Sequence, residues 1–372
     1  MYVDETRGNW SEGLTTFMAD YAAKEEESPR AAAEMRLAWL RDFAAIPTGG
    51  ARTLADFRAR TQCAEAAVGY GKSAMVFVML RDSIGEQTFA RGLRRFWETK
   101  RFKRASWNDL RIAFEETSGR TLESFFAQWL ERAGAPAPRI VRARREHAAA
   151  GDRLVLSIEQ PAPAYELHAP LELIAAAQSE IRWLDLRREK EELVLEVARV
   201  PEQLRFDPQF RVWRVLEAGE LPPILRRWII ARAPRLAIVT KDAEVQDAAR
   251  MLAAQFFESR AAEVAPDASD GAGEPLLLIG LDADIDAALA KLGLPGRPPG
   301  LAARGTARAW TVQTVAPRAP LAVVAARDAS ALRALARPLP HYGAQSYLIF
   351  DGAKLIERGV WPSAGGLVAV TR

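Results

Sequence analysis

The sequence is short of the residue types that build most metal and redox centres. Of 372 residues only one is cysteine, Cys63, which excludes an intrachain disulfide framework and any zinc site made of several thiolates. The three histidines, His147, His168 and His341, lie far apart in the chain, so no local histidine pair can ligate a metal. No apolar run approaches the ~18 residues of a membrane-spanning helix. The opening residues, MYVDETRGNW, have neither the basic nor the apolar region of a signal peptide. Charge of one sign is also scarce. The 51 basic and 48 acidic residues leave a net +3 spread along the chain, not gathered on one face, which argues against a nucleic-acid partner. Nucleotide signatures are missing too. There is no G-x-G-x-x-G, and Gly71-Lys72-Ser73 only mimics the tail of a P-loop, because the first glycine of that motif would fall on Ala66.

What is present is the composition of a globular chain, 49% hydrophobic and 27% charged, long enough for two or three domains. Residues 1–138 read as helical. Apolar residues recur at helical spacing over Glu12–Lys24, Ala31–Phe43, Ala66–Asp82 and Gln87–Thr99, and Thr53–Arg60 reads as a short helix capped by Thr53. Ser106-Trp107-Asn108-Asp109 resembles a capping box, and Gly119 ends the helix it starts. Residues 139–216 switch to a period of two, with strands expected at Leu154–Ile158, Leu171–Ala175, Glu180–Leu184, Leu193–Val197 and Phe210–Val215, which suggests a small antiparallel β-sandwich. Residues 217–372 begin with a Pro-rich connector and then alternate strands and helices, the pattern of an α/β layered domain. The expected fold is therefore multidomain: all-α, then β-sandwich, then α/β.

The segment richest in chemistry is the first. Gly8-Asn9-Trp10-Ser11-Glu12-Gly13 is followed by Val68-Gly69-Tyr70-Gly71-Lys72-Ser73-Ala74, then by Trp107–Leu110, Gly119, Phe125, Trp129-Leu130 and Gly134-x-Pro136. In this order the set resembles the aminopeptidase N-type gluzincins, the membrane alanyl aminopeptidase family of zinc metallopeptidases. Gln160-Pro161, Tyr165, Asp207-Pro208 and Trp213-Arg214 extend the resemblance to about residue 216. The family binds zinc through H-E-x-x-H and a glutamate at the start of the next helix. The resemblance implies that Glu12 is that metal ligand and that Tyr70 is a catalytic residue directed at the oxyanion. It also implies that residues 1–138 are a remnant of a catalytic domain whose substrate is a peptide. Chemically, an amide carbonyl needs polarisation and a nucleophilic water, and zinc supplies both by lowering the pKa of bound water to about 7. Read without the resemblance, Glu12 is a first-turn acid favoured by the helix dipole, and Tyr70 a core aromatic.

H-E-x-x-H occurs nowhere in the chain, and only 11 residues precede Glu12, where the family places the second histidine about 18 residues upstream. The expectation is thus a C-terminal portion of such an enzyme, inactive as it stands, holding no zinc tightly and prone to self-association through apolar helix faces left uncovered. The alternative is a non-catalytic binding or scaffold protein that keeps the fold without the zinc site. His147, in a charged run, and His168, between strands, read as surface residues. The polar and aromatic stretch from His341 to Tyr347 reads as a turn with packed tyrosines, or else as a binding loop. The pentamer Lys100-Arg101-Phe102-Lys103-Arg104 reads as a solvated helix end.

Overall fold

The structure is a computed structural model, and it describes residues 1–47, 50, 52–59, 67–148, 151–176, 178–217, 219–266, 274–302, 304–312, 319–361 and 365–371. These fall into two compact units. The first holds Met1–Ala44, Gly50–Glu220 and Gly365–Arg372, and the second holds Leu221–Ala364 with the short stretch Ala45–Gly49.

The first unit opens with the helical segment. Its centre is the helix Ser73–Ile84, where Ala74, Met75, Val76, Phe77, Val78 and Leu80 are all fully buried. A helix apolar all round can only be stable when other elements enclose it. Helices Trp10–Thr15 and Glu86–Lys100 and the π-helical turn Thr16–Tyr21 pack against it, Phe77 stacks on Trp107 at the start of helix Trp107–Ser118, and helices Pro29–Ala44 and Glu123–Glu131 complete the segment with one apolar face each. Helix Trp107–Ser118 starts on a complete capping box: Ser106 Oγ accepts from the Asp109 amide, and the Asp109 carboxylate accepts from the Ser106 amide at 2.8 Å. It ends at Gly119, whose φ of 66° is the left-handed conformation glycine adopts without steric cost. The helix expected at Thr53–Arg60 does not form within the described residues 52–59. Only a turn over residues 54–56 is present, with Thr53 Oγ1 accepting from the Asp56 amide at 3.1 Å.

Two antiparallel sheets follow. Strands Arg139–Ala148, Gly151–Glu159 and Lys190–Glu196 form one. The other runs in the order Leu367–Ala369, Gln203–Phe206, Leu167–Ala175, Gln178–Leu186, so residues near the end of the chain return to this unit. The strand expected at Phe210–Val215 is absent. That stretch folds around the buried Asp207 carboxylate, which accepts from the Arg211 amide at 2.6 Å, the Val212 amide at 3.2 Å and Arg214 Nε at 3.1 Å. Val212 and Trp213 are buried as loop residues, which explains why their apolar character imitates a strand.

The second unit is a seven-stranded mixed sheet in the order Ala262–Glu263, Arg235–Val239, Leu276–Leu281, Leu321–Ala326, Ala307–Val312, Tyr347–Asp351, Lys354–Gly359. The first four strands are parallel and the remaining pairs antiparallel. Its central strands are buried on both faces, and two of them, Leu276–Leu281 and Leu321–Ala326, are continuous apolar runs. Leu276, Leu278, Val323 and Ala325 pack with Ile285, Ala288 and Leu289 of helix Asp282–Lys291 on one face. Their neighbours Leu277 and Ile279, equally buried, point to the other.

Candidate active site

The helix that carries Glu12, Trp10–Thr15, starts on Asn9. The Asn9 side chain accepts from the Ser11 amide at 3.0 Å, and its Nδ2 donates to the Arg58 carbonyl at 2.9 Å. Next to it the buried Trp10 donates Nε1 to the Ala105 carbonyl at 2.6 Å and sits edge-on to Phe96, ring centroids 5.2 Å apart. On the far side Gly13 lies against the central helix: a Cβ built there would fall 1.8 Å from Ser73 Oγ. Glu12 is thus held in place by its neighbours. Its own side chain is half-buried, and no hydrogen bond or ion pair to its carboxylate occurs among the described residues.

Tyr70 lies in the π-helical turn Ala67–Lys72, which runs straight into Ser73–Ile84. Its ring is half-buried and edge-on to Phe57, centroids 6.1 Å apart. Two glycines let the turn fit: a Cβ on Gly69 would meet the Phe57 ring at 2.1 Å, and one on Gly71 would meet Trp39 Cβ at 3.1 Å. Phe57 therefore serves both candidate residues. Its ring backs the Tyr70 turn, while its carbonyl accepts from the Asn9 amide at 2.8 Å, at the start of the Glu12 helix. A second π-turn, Thr16–Tyr21, follows the Glu12 helix directly, and Thr16 Oγ1 donates to the Glu12 carbonyl at 2.8 Å. π-Turns are rare in helices and concentrate at functional sites.

Two features here were not legible from residue types. Lys72, two residues after Tyr70, is 1% exposed and donates Nζ to the Arg132 carbonyl at 2.8 Å. Burial, with some repulsion from Arg132, pushes its pKa down to about 7. Behind Trp39 lies Tyr21, wholly buried and tilted against it with centroids 5.6 Å apart. Arg36 donates to the Tyr21 hydroxyl, and burial pushes the Tyr21 pKa up to about 12. A lone lysine inside an apolar helical run was the only hint of the first.

The other candidates sit elsewhere. His147 and His168 each face an aspartate directly across an antiparallel ladder, His147 at 2.9 Å from Asp152 and His168 at 2.8 Å from Asp185, with His168 also stacked on Trp183. In the stretch from His341 to Tyr347, Tyr342 packs edge-on to Phe350 and Tyr347 stacks on Trp361, so both tyrosines are packing residues. Among the described residues no group of three or more His, Cys, Asp or Glu could hold a metal ion. The residues present, one uncommitted carboxylate, therefore do not by themselves fit a zinc ion.

Residues 10–129 match the peptidase family M1 domain. This segment belongs to family M1. The chain is 35% identical over 72 residues to aminopeptidase N of Lactococcus lactis subsp. lactis (19% of this chain, 8% of that protein). It is 35% identical over 97 residues to aminopeptidase N of Streptomyces lividans (26% and 11%). It is 28% identical over 75 residues to Tricorn protease-interacting factor F2 of Thermoplasma acidophilum (20% and 10%). The matched stretch spans about a tenth of the length of each relative. M1 proteins are metallopeptidases, in general zinc-dependent, and the M1 segment here contains both Glu12 and Tyr70. No described helix is long and apolar enough to cross a membrane.

Proposed function

We propose that the M1 segment is the part of a zinc aminopeptidase-type metallopeptidase that supplies one metal carboxylate, Glu12, and one hydroxyl that stabilises the oxyanion, Tyr70. The observation that supports this reading most is the tight crossing at Gly13 and Ser73, which sets the Glu12 helix on the start of the Tyr70 helix. A half-buried carboxylate that nothing on the described chain engages is suited to an external ligand, since a structural carboxylate at that depth is normally hydrogen-bonded.

In this reading the histidine ligands and the general base come from residues that this sequence does not contain, and the 372 residues alone hydrolyse no peptide. A single carboxylate cannot hold zinc against water. Calorimetric titration of the chain with zinc tests the ligand set: no stoichiometric sub-micromolar binding is expected, and such binding would overturn it. The coding sequence immediately before codon 1 tests the ancestry. An in-frame H-E-x-x-H supports a longer peptidase, and an in-frame stop codon with a ribosome-binding site favours a scaffold that has lost the metal helix.

A further inference from the structure

In the second unit a cleft of about 790 Å³ opens where the strand Arg235–Val239 ends. Its position follows from the topology. After Arg235–Val239 the chain runs through helix Ala243–Phe256 to Ala262–Glu263 on one flank. After the adjacent parallel strand Leu276–Leu281 it runs through helix Asp282–Lys291 to strands on the other flank. Neighbouring parallel strands whose connections depart in opposite directions leave a crevice outside their carboxyl ends, which is where open α/β sheets take their ligands. Val239, Thr240 and Lys241 from the end of the first strand and Leu281 from the end of the second line this cleft. The volume lies within the roughly 300–1,000 Å³ of small-molecule sites.

The lining specifies a chemistry. Ile238, Val239, Leu281, Ala287 and Leu292 make an apolar floor, and of these Ile238, Val239, Leu281 and Leu292 are only half-buried. Lys241 and Lys291 stand at the edge, and neither forms an ion pair among the described residues. The two acids among the described lining residues are partly offset. The Asp242 carboxylate caps helix Ala243–Phe256, accepting from the Glu244 amide at 2.8 Å, and Asp284 sits in the first turn of its own helix, where the positive end of the dipole balances it. A pyrophosphate is disfavoured: the turn Thr240-Lys241-Asp242 has no glycine to let backbone amides wrap it, and two nearby carboxylates repel a multiply charged group.

We infer that this cleft binds a small hydrophobic monocarboxylate, its apolar body on the Ile238–Leu281–Leu292 floor and its carboxylate facing Lys241 or Lys291. No residue of the M1 segment takes part, so the site stands or falls independently of the zinc reading. The test is isothermal titration of the full chain with octanoate and, as the uncharged isostere, octanamide. Octanoate is expected to bind one to one and at least tenfold tighter than octanamide. The surface variant K241E/K291E is expected to lose at least tenfold in octanoate affinity. The exposed Ala287→Trp, which fills the cleft without touching the core, is expected to abolish binding, with unchanged circular dichroism for both. Equal affinity for octanoate and octanamide, or octanoate binding that survives both variants, would overturn the inference. So would dimerisation that Ala287→Trp abolishes, because it would give the cleft to a second copy of the chain.

Discussion

Gly13 and Ser73 pack backbone to side chain, so closely that a methyl group on Gly13 would lie 1.8 Å from Ser73 Oγ and 2.3 Å from its Cβ. This contact sets the separation of the two elements that carry Glu12 and Tyr70. Ser73 is fully buried, and its hydroxyl has no hydrogen-bond partner among the described residues, so space and not bonding is what the pair provides. Gly13→Ala should therefore overpack the crossing and cost about 1–3 kcal/mol. Adding Ser73→Gly should recover part of that loss, because it removes the Oγ and Cβ contacts but leaves the Ser73 backbone carbon 2.9 Å from the new methyl. Urea unfolding of the wild type, both single variants and the double variant measures the coupling. Additive losses in the double variant would show that the two positions do not share the crossing.

Lys72 gives the helical segment a pH dependence of defined sign. Its pKa falls from 10.5 in the unfolded chain to about 7 in the folded one, so between those values the unfolded state binds more protons. Stability should then rise with pH across that window, and the cost of charging Lys72 should be fully present below about pH 7. Lys72→Met removes the titration while keeping the length of the side chain. The urea midpoint of the wild type should climb from pH 7 to pH 9.5 relative to that of Lys72→Met. Parallel midpoints for the two proteins across that range would mean that Lys72 titrates normally.

The helical elements were legible because their signals are local. A period of 3.6, the capping box at Ser106 and Asp109, and the stop at Gly119 are all written within a few residues of the structure they produce. The strand Arg139–Ala148 was not legible, because its charges face outward and hide the alternation. His147 finds its reason only opposite Asp152 on the neighbouring strand. Phe210–Val215 misled for the converse reason, being apolar because it wraps the Asp207 carboxylate. At the candidate site, Glu12 and Tyr70 stood out only through the order of flanking motifs. The π-turns beside them depend on hydrogen-bond register, and the Gly13–Ser73 crossing on residues 60 positions apart, and neither leaves a compositional trace.

Glu12 separates a functional acid from a merely favourable one. As a half-buried first-turn carboxylate it contributes at most the helix-dipole interaction, up to about 2 kcal/mol, and no described partner adds to that. Glu12→Gln keeps the shape and removes the charge. Its stability loss, from urea unfolding, should stay below about 2 kcal/mol. Asn9→Ala at the cap of the same helix breaks hydrogen bonds to the Ser11 amide and the Arg58 carbonyl, and should cost about 0.5–2 kcal/mol. A larger loss from Glu12→Gln than from Asn9→Ala would make Glu12 a structural residue, because a metal ligand without its metal has little to contribute to folding.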